Sequence, residues 1–234
     1  MKKIYIAIAI LGIAGNAYCL DCAGFFRNTP PILCEYFSGS ELKAENKNIL
    51  ELLKRKSDTS NLNADIDFVR RNQICSDELR AIQDYSSFNY RIYNPALRSQ
   101  KEDSLDDDYK RDICLISKGL RKMYKFNGPA YRGMALDKAF AEPYLKVGNL
   151  IRERAFLSSD TNEATAIRFS RTNDPAKVRI VLKFIDPVGH AIKQLSLNPI
   201  EDEVLIDRGH NFMVEFVESR NDGSDYYYIG VRNY

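Results

Sequence analysis

Apolar side chains follow a helical period in the first half of the chain and a strand period in the second. Over about 40–125 they recur three and four positions apart, as in 49–53 and again in 109–124, which is typical of one face of a helix. After a turn signal at 127–129 the apolar positions come in short runs between turn residues, which is typical of strands. The pattern predicts an α+β fold, with a helical lead-in over about 40–125 and a β-rich core over about 127–234.

The N-terminus combines two lysines, an apolar run from Ile4 to Ile13 and small residues ending at Ala17. This order is typical of a secretory signal peptide, and the apolar run is too short to span a bilayer. We expect a signal peptide over 1–19, cleaved after Ala17 or Cys19, and a single domain over 20–234; a buried N-terminal strand or helix is the alternative. The expected location is secreted or periplasmic, with delivery to a host cell as a further step. No hydrophobic tail ends the sequence, so no stable membrane anchor is expected.

Five cysteines lie in the first half of the chain, Cys19, Cys22, Cys34, Cys75 and Cys114. Loss of Cys19 with the signal peptide leaves an even number, which favours two disulfides in an oxidising compartment. Four cysteines allow three connectivities. We expect neighbours to pair, Cys22 with Cys34 and Cys75 with Cys114; buried free thiols are the alternative.

The net charge and the histidine content bear on two classes of function, nucleic-acid binding and metal binding. The formal net charge is +2 and no basic tract occurs, so composition gives no reason to expect a nucleic-acid partner. The two histidines, His190 and His210, have no partners at metal-ligand spacing. A metal site is therefore not expected.

Two carboxylates, Glu201 and Glu203, stand one residue apart just ahead of an apolar run that ends at Ile206. Asn198 and Pro199 form a turn signal before them, so the pair is expected where a loop enters a strand. Residues i and i+2 of a strand face the same way, which predicts two neighbouring and partly exposed carboxylates. Two close like charges repel and need compensation; a solvated acidic strand edge is the alternative.

Two further polar sites interrupt the predicted strands. Arg132 lies inside the strand-like segment 129–136, where a charged residue needs a partner or a ligand. Its guanidinium is well shaped for bidentate contact with phosphate; a salt-bridged or edge arginine is the alternative. Ser158 ends another strand-like run and precedes a helix predicted over 162–169, where it is either a simple cap or part of a site.

The order of these motifs along the chain indicates a protein family more specifically than any single motif does. An arginine in Tyr-Arg-Gly, then Phe-Leu-Ser-Ser after a strand, then Glu-x-Glu-Val-Leu before a strand resembles the arginine–serine–glutamate class of mono-ADP-ribosyltransferases. That class includes bacterial exotoxins of the iota-toxin type and vertebrate ecto-transferases. The resemblance covers about 127–234. It implies an ADP-ribosyltransferase-like fold, in which a helical N-terminal part joins a two-sheet β core with an NAD cleft.

The resemblance also implies roles for four side chains. Arg132 corresponds to the arginine that holds NAD, and Ser158 to the first serine of the family's Ser-Thr-Ser motif. Glu203 corresponds to the catalytic glutamate, which stabilises the oxocarbenium-like state as the bond to nicotinamide breaks. Glu201 corresponds to the glutamate that holds the acceptor.

Four positions near these motifs match the family less closely. Ser159 and Asp160 depart from the threonine and the last serine of the Ser-Thr-Ser motif. Phe169 and Arg171 fall where the family has its phosphate-nicotinamide loop, which implies an aromatic ring and a guanidinium near the cofactor.

The implied function is NAD-dependent mono-ADP-ribosylation of an arginine in a target protein by a secreted toxin or effector. A glutamate at position 201 accompanies arginine acceptors in the family. NAD is the implied substrate, no metal is implied, and an immunity or delivery partner stays open. The alternatives are an NAD glycohydrolase, with water as the acceptor, and a catalytically inactive secreted binding module.

Overall fold

A computed structural model describes Cys22 and residues 39–198 and 201–234, so the predicted signal peptide over 1–19 lies outside the described residues. The helices are α1 (Gly39–Leu53), α2 (Leu62–Arg71), α3 (Ser76–Asp84), α4 (Tyr90–Arg98), α5 (Asp107–Lys122), α6 (Lys138–Ala141) and α7 (Glu163–Ser170). A π-helix at Tyr85–Asn89 joins α3 to α4, and 3-10 helices lie at Glu102–Ser104 and Glu142–Leu145. The strands are β1 (Ala130–Asp137), β2 (Leu150–Glu153), β3 (Leu157–Asp160), β4 (Lys177–Phe184), β5 (His190–Ala191), β6 (Glu203–Ile206), β7 (His210–Asn221) and β8 (Asp225–Asn233).

The strands form one mixed sheet in the order β2-β7-β8-β4-β1-β3-β6-β5, in which only β4 and β8 run parallel among the described strands. β1 pairs with β4 along its whole length but with β3 only through Tyr131 and Asp160. The α+β fold is therefore confirmed. The two sheets expected in its core are two parts of one sheet, of five and three strands, which meet at a single residue pair.

Alternation along β3 and β6 decides which side chains face the helical half. Phe156, just before β3, and Leu205 in β6 pack into the apolar cluster that the helices form. Leu157 and Val204 pack into a second cluster among the strands. Because residues two apart in a strand face the same way, this alternation predicts that Ser158 and Glu203 point towards the helical half.

The disulfide pairing differs from the expected one. Cys22 is bonded to Cys114 in α5, 92 residues further along the chain, so neighbour pairing is wrong. Cys75 is also disulfide-bonded, and its partner lies outside the described residues. Connectivity follows the packing of the helices: Cys75 precedes the first residue of α3, whereas Cys114 lies on a buried turn in the middle of α5.

A buried ion pair joins the helical half to the loop ahead of β6. Lys56 Nζ lies 2.5 Å from Asp65 Oδ2 in α2, and each side chain is only 5% exposed. The same ammonium group donates to the backbone oxygen of Gln194 at 3.2 Å. The pair therefore connects α2 to the chain segment between β5 and β6.

We expect Lys56→Met to lower the free energy of unfolding by about 3–5 kcal/mol, because it leaves the Asp65 carboxylate buried without its partner. The double variant Lys56→Met/Asp65→Leu should recover most of this loss, since it leaves no buried charge. Urea unfolding of the unmodified protein and both variants, with the disulfides intact, measures the three free energies. Equal losses of unfolding free energy in the single and double variants would contradict the assignment of Lys56 and Asp65 as a buried ion pair.

In the described part of the chain, no helix combines the length and the hydropathy needed to cross a membrane.

Candidate active site

The three predicted motifs lie on strands that are neighbours in the sheet, β1, β3 and β6. Ser158 Oγ donates a hydrogen bond to Glu203 Oε1 at 2.7 Å. Arg132 Nη1 donates to the backbone oxygen of Ser158 at 2.5 Å. This carbonyl group is not part of the short β1–β3 ladder, which pairs Tyr131 with Asp160. The structure thus joins Arg132, Ser158 and Glu203 in one hydrogen-bonded chain.

This chain of contacts lines a cavity of about 410 Å³ between the sheet and the helical half. Glu201 lines the same cavity and is partly exposed, as the sequence predicts. The remaining lining residues are Tyr85, Ser86, Ser87, Tyr90, Asn94, Tyr131, Gly133, Ser159, Asp160, Ala166, Phe169 and Asn198.

Glu203 is only 5% exposed, so the expectation that both carboxylates are partly exposed is wrong for this residue. β6 lies between β3 and β5, and the helical half covers the face to which the Glu203 side chain points. Burial raises the pKa of Glu203 to about 7, and the hydrogen bond from Ser158 opposes that rise. The charge of Glu201 raises the pKa of Glu203 further, whereas the charge of Arg132 lowers it. The carboxyl group is therefore poised to titrate near neutral pH.

Arg132 has no counter-ion among the described residues. Its buried Nε has no hydrogen-bond partner there, and none of the ion pairs between described residues includes it. Burial and the nearby charge of Arg98 lower the pKa of Arg132. A salt-bridged arginine, the alternative left open by the sequence, does not fit this geometry. A cation held in this way is suited to an anionic ligand.

The departures from the Ser-Thr-Ser motif have local structural roles. Ser159 is buried and donates to the backbone oxygen of Val204 at 2.6 Å, which fastens β3 to β6. Asp160 Oδ1 accepts a hydrogen bond from the backbone N–H of Asn162 at 2.6 Å, and Asn162 in turn caps α7. Burial raises the pKa of Asp160. Ser159 therefore joins the two strands, Asp160 orders the turn into α7, and both leave the contacts of Ser158 intact.

The structure brings Phe169 to the cavity but not Arg171. Phe169 lies in the last turn of α7, 55% exposed, with the Arg168 guanidinium 5.4 Å from its ring centroid. Arg171 donates to Asp222 at 3.3 Å, in the turn between β7 and β8. Gly133 is required for this packing, because a Cβ there would lie 1.8 Å from the backbone oxygen of Ala166 in α7.

One wall of the cavity consists of residues that the sequence motifs do not predict. It comes from the π-helix and the start of α4, which contribute Tyr85, Tyr90 and Asn94. Asn94 Nδ2 donates to the buried hydroxyl of Tyr85 at 3.1 Å, while Asn94 Oδ1 is buried and has no partner among the described residues. π-Helical turns are frequent at functional sites. The signal available in the sequence is the polar and aromatic run 85–90, which interrupts the apolar helical period.

A second cavity, of about 840 Å³, adjoins the first. The two share Arg132, Gly133 and Phe169. Its further lining residues are Arg98, Met134, Ala135, Leu136, Phe140, Pro143, Tyr144, Leu150, Ile151, Arg152, Glu153 and Arg154. Arg132 therefore stands between two compartments, one carrying the carboxylates and one rich in guanidinium groups. Across residues 39–198 and 201–234, together with Cys22, no three histidine, cysteine or acidic side chains form a metal-binding group.

A mixed sheet beside a helical half, with arginine, serine and glutamate on neighbouring strands, defines the class of ADP-ribosyltransferases. The family model for the ADP-ribosyltransferase exoenzyme domain matches residues 59–233. The chain therefore belongs to this family, whose members use NAD as their substrate.

Individual relatives agree with this assignment. A Vibrio splendidus (strain 12B01) protein named as the NAD(+)–arginine ADP-ribosyltransferase Vis is 31% identical over 165 residues, which cover 68% of this chain and 65% of that protein. The structure of the Vis toxin is 26% identical, with a TM-score of 0.58, covering 85% of this chain and 87% of Vis. Vis in complex with agmatine gives a TM-score of 0.57 at the same identity, covering 86% of this chain and 89% of Vis. HopU1 of Pseudomonas syringae pv. Tomato DC3000 shares the fold, with a TM-score of 0.61 at 19% identity, covering 85% and 99% of the two chains.

Proposed function

We propose that this protein transfers ADP-ribose from NAD to an arginine side chain of a target protein. The observation that carries the proposal is the chain of contacts from Arg132 through Ser158 to the buried Glu203, in a cavity that Glu201 also lines. It joins a cation that has no counter-ion among the described residues to a carboxylate held in a fixed orientation. NAD requires such a pair, because its pyrophosphate is anionic and its ribose becomes cationic as nicotinamide leaves.

Each residue has one task in this proposal. Arg132, between the two cavities, binds the pyrophosphate, so that the nicotinamide ribose enters the smaller cavity and the adenosine half the larger one. Glu203 stabilises the positive charge that develops on the ribose and accepts a hydrogen bond from its 2′-hydroxyl group. Ser158 orients the Glu203 carboxylate through the 2.7 Å hydrogen bond. Phe169, exposed at the boundary of both cavities, covers the bound dinucleotide.

Glu201 holds the acceptor. An arginine guanidinium is protonated at any physiological pH, so an anionic group has to hold it for attack on the ribose. Glu201 is partly exposed at the side of the cavity, where a side chain from another protein can reach it. The relative Vis has a structure in complex with agmatine, a small molecule with the guanidinium group of arginine, which supports an acceptor of this chemistry.

The site of action belongs to the same proposal. A predicted signal peptide and disulfide-bonded cysteines support secretion and oxidation of the mature chain. We therefore propose a secreted toxin or effector that acts on a protein of another cell, with a delivery or immunity partner as a further component.

The direct test uses the mature protein, with its disulfides formed, incubated with labelled NAD and agmatine. We expect labelled ADP-ribosylagmatine, and faster release of nicotinamide than without agmatine. Release of nicotinamide that agmatine does not change, without a labelled product, would replace the transferase with an NAD glycohydrolase. A folded protein with neither reaction would be a binding module. Host lysate in place of agmatine then identifies the target protein.

The pH dependence of the reaction provides a separate prediction. We expect kcat/KM for NAD hydrolysis to rise with pH with an apparent pKa of about 7, because only the ionised Glu203 carboxylate stabilises the developing charge. Glu201→Gln should shift this profile to lower pH, because it removes a like charge that raises the pKa of Glu203. Nicotinamide release, measured between about pH 5 and pH 9 in both proteins, gives the two profiles. A flat profile with the fold intact would contradict the role of Glu203.

A further inference from the structure

We propose that a surface formed by Phe88, Tyr90 and Arg91, here called the aromatic rim, binds the target protein and favours acidic residues beside its acceptor arginine. The inference rests on the proposed function and adds the chemistry of the partner to it. The aromatic rim lies at the end of the π-helix and the start of α4. Tyr90 lines the smaller cavity together with Glu201, so the aromatic rim is continuous with the place proposed for the acceptor.

The two rings of the aromatic rim are exposed, although aromatic side chains usually contribute to a core. Phe88 is 55% exposed and Tyr90 is 37% exposed, whereas Tyr85 at the start of the same π-helix is 1% exposed. Among the described residues, neither exposed ring belongs to one of the three apolar clusters. Aromatic residues and arginine are enriched in protein–protein interfaces, where they fill pockets of the partner. Phe88 and Tyr90 are therefore available to a bound protein.

Arg91 gives the aromatic rim a positive charge. Its guanidinium carbon lies 5.5 Å from the ring centroids of both Phe88 and Tyr90, and its Nε donates to the Tyr90 hydroxyl group at 3.0 Å. Among the described residues no carboxylate forms an ion pair with Arg91, and Asp84 at the end of α3 is paired with two other arginines. The rings thus hold an exposed guanidinium whose charge a carboxylate of a partner can meet.

The charges around the opening of the smaller cavity match an arginine that has acidic neighbours. Glu201 presents one carboxylate for the acceptor guanidinium, and Arg91 presents a cation on the helical half. A second guanidinium, that of Arg168 on α7, lies 5.4 Å from the ring centroid of Phe169, which lines the same cavity. A target segment with an arginine between carboxylates therefore meets opposite charges, whereas lysines in place of those carboxylates meet like charges.

Two synthetic peptides of equal length test this proposal, with a central arginine flanked by glutamates in one and by lysines in the other. We expect kcat/KM for transfer of ADP-ribose to be higher for the acidic peptide, by a ratio that falls as salt is added. Arg91→Glu should lower this ratio by about 5- to 25-fold, because it replaces an attraction by a repulsion, each worth up to about 5-fold for an exposed pair. Phe88→Ser should lower kcat/KM for both peptides by about 5-fold or more. Agmatine has no neighbouring residues, so both variants should modify it as fast as the unmodified protein does.

Two matched controls separate the aromatic rim from the rest of the surface. Arg70→Glu makes the same change in net charge on α2, and Tyr124→Ser removes a ring that is 93% exposed; both residues are exposed and line neither cavity. Neither control should change the rates with the two peptides.

The outcomes distinguish this proposal from the proposed function. A ratio between the peptides that Arg91→Glu leaves unchanged, or that Arg70→Glu lowers equally, would overturn the role of the aromatic rim while transfer to agmatine stays intact. A fall in agmatine transfer with Phe88→Ser or Arg91→Glu would assign these residues to the NAD site instead. An unmodified protein that does not modify agmatine would overturn the proposed function itself.

Discussion

Glu203→Gln is expected to lower both NAD hydrolysis and transfer to arginine by a factor on the order of 10² or more, the usual scale for losing one such electrostatic contact. Glutamine keeps the shape of the side chain and can still contact Ser158, but it does not carry the negative charge that stabilises the ribose as nicotinamide leaves. Both reactions pass through that state, so both should fall together.

Glu201→Gln is the matched control, because Glu201 lines the same cavity and lies two residues before Glu203 in the chain. It should abolish transfer to agmatine, because the protonated guanidinium loses its anionic partner, and leave much of the hydrolysis, because water needs no such partner. Nicotinamide release without acceptor and ADP-ribose incorporation into agmatine, measured for both variants, give the four rates. Equal damage to both reactions by both substitutions would show that the two glutamates do not divide the work as proposed.

Because Glu203 is buried, Glu203→Gln should also change how the stability of the protein depends on pH. The pKa of Glu203 is raised from 4.5 to about 7 in the folded protein, so the folded state keeps this proton at pH values where the unfolded chain has lost it. By linkage, this group lowers stability as pH rises between those values, by about 3 kcal/mol in total. Glu203→Gln should therefore unfold at a higher urea concentration than the unmodified protein at pH 8, and at about the same concentration at pH 4. The site thus keeps a charge that weakens the fold, which is common where activity requires it.

Arg132→Ala is expected to weaken NAD binding by about 2–5 kcal/mol, or roughly 30-fold and more, because the pyrophosphate loses its charged partner in a buried site. Arg132→Lys should restore only part of the affinity, since lysine keeps the charge but lacks the planar fork. Calorimetric titration with NAD measures all three proteins.

The stability of the Arg132 variant distinguishes a binding residue from a structural one. Arg132 has a buried Nε without a partner and makes no ion pair with a described residue. Its removal should therefore leave the melting temperature unchanged or raise it, in contrast to the loss expected for Lys56→Met, which breaks a buried pair. Unchanged NAD affinity together with a large loss of stability would make Arg132 a structural residue.

Local patterns of the sequence predict most of the secondary structure. The helical period over 109–124 corresponds to α5, and the segment predicted as a helix over 162–169 corresponds to α7 with Asn162 as its cap. The strand predicted over 129–136 corresponds to β1. These elements follow from short-range properties, which are the spacing of apolar side chains, a turn signal and a capping residue.

Long-range contacts account for what the local patterns do not predict. The order of the cysteines in the sequence suggests neighbour pairing, but the packing of α5 brings Cys114 to Cys22. The position of Arg171 suggests a cofactor contact, which stays a prediction, and the β7–β8 turn also brings Asp222 to this side chain. In both cases the partner lies far away in sequence, and the local pattern carries no information about it.

The sequence by itself determined the α+β class, the family resemblance and the residue types of the site, because Arg132, Ser158 and the two glutamates stand in motifs at the ends or within predicted strands. Only the tertiary structure decided which of these groups is buried, which lacks an ion-pair partner among the described residues and which is held in one orientation. Glu203 lies in a strand with neighbours on both sides and beneath the helical half, and its raised pKa is a consequence of that burial. Arg98 comes to the second cavity from a helix more than thirty positions earlier in the chain than Arg132. Charge, burial and orientation at a site depend on what packs around it, and that is settled by contacts between segments that are distant in the sequence.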